Sequence, residues 1–122
     1  MRVAIPATDR DLDAPTDPRF GRCQVFVIVE TDDMSFQALD NDAALQGSGA
    51  GIAAVQLVAN AGADAVIAAH LGPNAFSALN AGGLKVYNFA GGTVRQAVEA
   101  LKAGQLPETG GANVPPISAW AV

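Results

Sequence analysis

This chain is poor in nearly everything from which catalytic and metal centres are built. It has one cysteine, one histidine, one tryptophan and one tyrosine. A lone thiol forms no internal disulfide, and by itself it holds neither an iron–sulfur cluster nor a structural zinc, each of which takes about four protein ligands. Such cysteine usage suits a reducing compartment, so a cytoplasmic protein is expected. Basic residues are scarce too, 7 against 12 acids, which gives a formal net charge of -5 and leaves no broad basic face for a nucleic-acid backbone. No apolar run approaches membrane-spanning length, and Pro6 follows Met1-Arg2-Val3-Ala4-Ile5 before a signal-peptide core can form. Neither a nucleic acid nor a membrane is expected as a partner.

What is present is hydrophobic: 50% of 122 residues, enough for one core, since a chain of this size buries roughly 65% of its unfolded surface. The few cations are unevenly placed. Arg2, Arg10, Arg19 and Arg22 all precede Cys23, and the stretch Asp17-Pro18-Arg19-Phe20-Gly21-Arg22-Cys23 joins two arginines, an aromatic ring and the single thiol in one loop. A local positive site on an acidic body suits a compact anion.

The patterning predicts the element order βββαβαβα. Arg2 to Ile5 is a β-branched strand stopped by Pro6, and Ala7 to Arg22 is a long loop rich in Asp and Pro. Cys23 to Glu30 is a strong strand, turning at Asp32-Asp33 into a third near Phe36 to Leu39. Gly47-Ser48-Gly49-Ala50-Gly51 opens a helix that ends at Gly62, and Ala65 to Ala69 reads as a parallel strand covered on both faces. Gly72-Pro73-Asn74 starts a second helix, Leu84 to Phe89 is the fifth strand, and Gly91-Gly92-Thr93 caps a third helix closed by Gly104. Residues 1–104 form the expected domain, and 105–122, with three prolines, a loosely ordered tail.

The simplest α/β arrangement is a five-stranded mixed sheet of order 3-2-1-4-5, with helices 1 and 2 on one face and helix 3 on the other. Strands 1, 3, 4 and 5 then point the same way and strand 2 begins where they end. The loop from Arg19 to Cys23, the loop from Gly47 to Gly51, the segment His70 to Ala75 and Gly91 to Thr93 should meet at that edge. Three helix N-termini open there, each with unpaired N–H groups, beside the switch point where open α/β sheets bind ligands.

The candidate binding residues are therefore Arg19, Phe20, Gly21, Arg22, Gly47, Ser48, Gly49, Ala50, Gly51, His70, Leu71, Gly72, Pro73, Asn74 and Ala75. Arg19 and Arg22 can clamp an anion or be solvated loop residues. Phe20 can pack on a ligand or plug the core. Cys23 reads as a buried thiol on the face of Val25, Val27 and Val29, with metal ligation as the competing role. His70 can donate to an anion, ligate a metal or gain charge as pH falls. Asp9, Asp11, Asp13 and Asp17 read as solvation and turn residues. The glycine loop lacks the Lys-Ser/Thr of a phosphate loop, and Ile52 stands where a dinucleotide fingerprint has its third glycine.

Asp17-Pro18-Arg19-Phe20-Gly21-Arg22-Cys23, Gly49-Ala50-Gly51-Ile52-Ala53-Ala54, His70-Leu71-Gly72-Pro73-Asn74-Ala75-Phe76 and Gly92-Thr93-Val94, in this order, resemble the dinitrogenase iron–molybdenum cofactor biosynthesis domain family. The likeness is strongest to its small stand-alone members. It implies a ribonuclease H-like fold, no enzymatic activity, and the non-covalent carriage of a preformed anionic molybdenum–copper sulfide cluster, with a protein acceptor as a further partner. The fold invites a nuclease reading, but strand 1, Arg-Val-Ala-Ile, offers no carboxylate for a two-metal site. A regulatory protein–protein interaction module using the same edge is the alternative from another class.

Overall fold

The computed structural model describes residues 1–42 and 49–108. Five strands, β1 (Arg2–Ala7), β2 (Val25–Glu30), β3 (Phe36–Asp40), β4 (Ala65–Ala68) and β5 (Lys85–Asn88), and three helices, α1 (Ala50–Asn60), α2 (Pro73–Ala81) and α3 (Val94–Lys102), follow the expected order. The sheet runs β3-β2-β1-β4-β5. β1 pairs antiparallel with β2 and parallel with β4, and β5 lies parallel to β4.

The alternation of side chains along the central strands separates two cores. Ala4, Phe26, Ile28, Val66 and Ala68 point to one face, where Ala54, Val55 and Val58 of α1 and Ala75 and Leu79 of α2 cover them. Val3, Ile5, Val25, Val27, Val29, Ala65 and Ile67 point to the other, under Val94, Ala97 and Val98 of α3. Right-handed crossovers require this division. Long-loop residues Leu12 and Ala14 complete the second core, because one helix is too narrow to cover the sheet.

Two strand boundaries and the tail differ from the sequence expectation by more than one residue. β1 does not stop at Pro6 but runs through it to Ala7, with Pro6 opposite Phe26. The Pro6 carbonyl accepts from the Asp17 N–H at 2.8 Å. A strand residue directs its N–H and C=O to the same side, so the donor that proline lacks faces the loop and the ladder to β2 loses nothing.

β2 begins at Val25, not Cys23, because Phe20–Arg22 winds into a short 3₁₀ turn and Cys23 leaves it in an extended conformation. Cys23 consequently packs with Phe20, Phe26 and Ile28, on the opposite face from Val25, Val27 and Val29. After α3 the chain passes β5 once more: Asn88 N–H donates to the Pro107 carbonyl at 3.1 Å, and Glu108 bridges Tyr87. The rest of the expected tail, 109–122, lies outside the described residues.

Candidate functional site

Three of the four segments expected at the carboxyl edge of the sheet come into direct contact. The His70 N–H donates to the Pro18 carbonyl at 2.9 Å, and Arg19 and His70 form a parallel bridge, so the arginine loop runs as an extra strand fragment beside the exit of β4. The 3₁₀ turn rests on the start of α1. A Cβ placed on Gly21 would lie 3.1 Å from the Gly51 Cα and 3.2 Å from its nitrogen. Gly51 in turn faces α2, where its own Cβ would meet the Ala75 methyl at 3.4 Å. Gly21, Gly51 and Ala75 form a stack of small residues through which the loops touch. Gly47 and Ser48 lie outside the described residues.

Among the described residues, neither helix that opens here has a side-chain cap at its start. α1 follows Gly49, whose φ of 79° is left-handed and suits glycine, and no side chain caps it. α2 follows Gly72 with Pro73 in its first turn, again without a side-chain cap. First-turn N–H groups have no acceptor within their own helix and carry partial positive charge. The two helix starts thus add partial positive charge from the main chain to this edge.

The third helix start does not join them. Thr93 and Gln96 form a reciprocal capping box at α3. The Val94 and Arg95 N–H groups donate to the Ala14 and Leu12 carbonyls at 3.0 and 2.7 Å, and the Thr16 N–H donates to the Gly92 carbonyl at 2.8 Å. The long loop therefore occupies the anchorage that the topology alone had left for a ligand. Gly91 to Thr93 belongs to the scaffold.

Side chains divide the same way. Arg22 and His70 are exposed. Arg19 is also largely exposed, but its Nη2 sits 3.2 Å from a carboxylate oxygen of Asp17, which is only 4% exposed. Asp17 also accepts the Arg19 backbone N–H at 2.9 Å, and its side-chain hydrogen bond and charge hold the Arg19 guanidinium pKa above its ordinary value. Two of the five guanidinium N–H directions are thereby committed. Asp17 thus does more than the solvated turn residue expected of it.

Phe20 and Leu71 are buried at 2% and 1% exposure, and the Phe20 ring lies 5.1 Å from that of Phe26. Both hold the loops from below and neither forms a wall at the surface. Among the described residues, Ile52 in the first turn of α1 is a large apolar side chain exposed at this edge.

Cys23 is fully buried, its Sγ–H donating to the Phe20 carbonyl at 3.4 Å. Burial pushes its pKa up to about 12, with the nearby Asp17 charge adding to the rise and the Asn41 side chain opposing it. At neutral pH the group is a thiol, whereas metal ligation needs the thiolate. Among the described residues no three His, Cys, Asp or Glu side chains gather as metal ligands.

Asn41, which the sequence reading passed over, is also buried here. Its Nδ2 donates to the Cys23 carbonyl at 2.9 Å and to the Gly21 carbonyl at 3.5 Å. An Asn directly after an alternating strand reads as an ordinary turn residue, and nothing local betrays a contact 18 residues back along the chain. For Asp17 there was a signal: an Asp two residues before Arg19 is placed to accept its N–H.

The family model described as dinitrogenase iron–molybdenum cofactor matches residues 1–104. Among solved structures, the apo form of the orange protein from Desulfovibrio gigas superposes with a TM-score of 0.89 at 41% identity, over 92% of this chain and 95% of that one. An NMR structure of a NifB-like protein from Thermotoga gives 0.77 at 39% identity, over 88% and 91%. An uncharacterised protein of Methanocaldococcus jannaschii is 29% identical over 109 residues, 87% of this chain and 89% of the relative.

Proposed function

This chain belongs to the dinitrogenase iron–molybdenum cofactor family, and from that premise we propose that it is a non-enzymatic carrier of an anionic molybdenum–copper sulfide cluster, held at the carboxyl edge of the sheet without covalent protein ligands. The observation that carries the reading is the stack of Gly21, Gly51 and Ala75, which brings two uncapped helix starts and the Arg19–Arg22 loop to one place. A cluster that brings its own sulfides has its metals already coordinated. What it requires is N–H donors, some positive charge and apolar contact, and main-chain amides, Arg19, Arg22, His70 and Ile52 stand at this edge for these roles. In the same reading the sheet is a ribonuclease H-like scaffold, the protein works in the cytoplasm, and an acceptor protein receives the cargo.

The role of Cys23 follows from its burial. A thiol held protonated under the 3₁₀ turn supports the floor of the site and leaves copper to the sulfides of the cluster. No helix among the described residues is long and apolar enough to cross a membrane.

The test is reconstitution with tetrathiomolybdate and copper(I), followed by gel filtration, metal analysis and backbone NMR. Molybdenum and copper should elute with the folded protein and shift the amides of Arg19 to Cys23, Gly49 to Ile52 and His70 to Ala75 together. Protein that elutes colourless, or shifts confined to the opposite sheet edge, would refute the carrier reading. Capture of a defined protein by the colourless form would favour the interaction module.

A further inference from the structure

Asn41 stands at the first position past β3, where its backbone N–H donates to the Gln24 carbonyl at 2.9 Å and extends the β2–β3 ladder by one rung beyond the Val25–Asp40 pair. Its side chain then reaches further back along the same segment. Nδ2 donates to the Cys23 and Gly21 carbonyls and lies 3.6 Å from the Cys23 Sγ. The residue is 4% exposed, and among the described residues its buried Oδ1 finds no hydrogen-bond partner. A buried amide kept with half its capacity unused is costly, so a packing role alone would be served better by an apolar residue.

We infer that Asn41 is a positioning residue for the binding edge: its amide holds the Gly21 and Cys23 carbonyls inward and so keeps the 3₁₀ turn seated on Gly51. The two carbonyls fix two peptide planes, one at each end of Arg22-Cys23. With those planes fixed, Gly21 stays against the start of α1, where a single added carbon would force the Gly51 backbone to give by a few tenths of an ångström. A turn released from Asn41 would swing the Arg19–Arg22 segment away from the helix starts and open the path to the Cys23 thiol. The effect on cargo rests on the carrier reading; the effect on the turn does not.

Asn41→Asp and Asn41→Ala test it. The first keeps the size of the side chain and removes the donor, so a role in filling space would survive it. The second removes the donor without adding charge near an anionic cargo. In both folded variants the Gly21, Cys23 and Gly51 amide signals should shift, although Gly51 is not among the residues Asn41 bonds. The rate of Cys23 modification by an aromatic disulfide reagent should rise roughly fivefold or more, the equivalent of one lost hydrogen bond of about 1 kcal/mol. Tetrathiomolybdate should bind both variants more weakly by a similar factor.

If either variant folds with Gly51 and the thiol reactivity unchanged, the inference is overturned. If parent and variants alike fail to bind tetrathiomolybdate while Gly51 and the thiol respond as described, the carrier reading fails and the positioning role stands. Should Asn41→Asp not fold, Asn41→Ala carries the same decision.

Discussion

Gly21 and Gly51 touch in one direction only. A methyl on Gly21 would press on the Gly51 backbone at 3.1 Å, whereas a methyl on Gly51 would meet only the Ala75 side chain, at an ordinary 3.4 Å. The two glycines share one contact and have opposite tolerances.

Gly21→Ala should therefore destabilise the fold by about 1–3 kcal/mol, because the obstacle is backbone at the start of a helix and cannot rotate aside. Gly51→Ala should be neutral or stabilising by up to about 1 kcal/mol, since it replaces a helical glycine. Urea denaturation of the two variants measures both. Equal losses would show that the turn is not closely seated on the helix.

Cys23→Ser should fold and still take up tetrathiomolybdate. The hydroxyl would find the partners the thiol has, the Phe20 carbonyl as acceptor and the Asn41 Nδ2 as donor, so it is not left unsatisfied. Molybdenum per folded chain after gel filtration is the measurement. A folded variant empty of metal beside a loaded parent would replace the non-covalent account by thiolate ligation.

The same thiol predicts an alkaline slope. Burial raises its folded pKa to about 12, above the ordinary thiol value near 9.0. Between those values the unfolded chain has lost the proton and the folded one retains it, so stability is complete below about pH 9 and falls as pH rises toward 12. In denaturant titrations from pH 8 to 11, Cys23→Ala should lose this component and show a shallower decline than the parent. Parallel curves would mean that the thiol titrates normally.

Arg19→Ala with Arg22→Ala should weaken tetrathiomolybdate binding roughly tenfold at low salt, as expected for the loss of charge-assisted contacts. Arg19→Ala alone also uncovers Asp17, placing a buried negative charge near an anion. Adding Asp17→Asn to Arg19→Ala should recover part of the affinity. Isothermal titration at two salt concentrations decides it, and unchanged affinity in the double arginine variant removes both side chains from the site.

Thr93→Ala should cost about 1 kcal/mol through loss of the capping box and leave cargo uptake unchanged. This separates the scaffold helix from the two proposed to serve the site. A loss of binding with the fold intact would return α3 to the ligand edge.

The architecture was legible because it rests on local periods: alternation in Val25 to Val29, the apolar run Ala65 to Ala68, and glycines flanking each helix. The convergence of Arg19 to Arg22 with His70 followed from strand direction alone. What escaped depends on partners distant in sequence. Whether α3 offers its N–H groups to a ligand is decided by the carbonyls of Leu12 and Ala14, far up the chain. The face that Cys23 takes is decided by a 3₁₀ turn, which carries no hydrophobic period, so extending the strand pattern back from Val25 placed the thiol on the wrong side. Pro6 misled for a related reason, since its cost depends on which neighbour its missing donor faces.

The bare starts of α1 and α2 bear on how such a protein tolerates mutation. A recognition surface made of peptide groups has no functional group that a substitution can delete, so most truncations of neighbouring side chains leave its donors in place. Its weakness is the reverse: an added carbon at Gly21 does what a deleted side chain does in an ordinary active site. In a chain of this design a gain of bulk at such a glycine can impair as much as a lost side chain, so a scan with alanine and serine at glycines belongs beside alanine at polar residues.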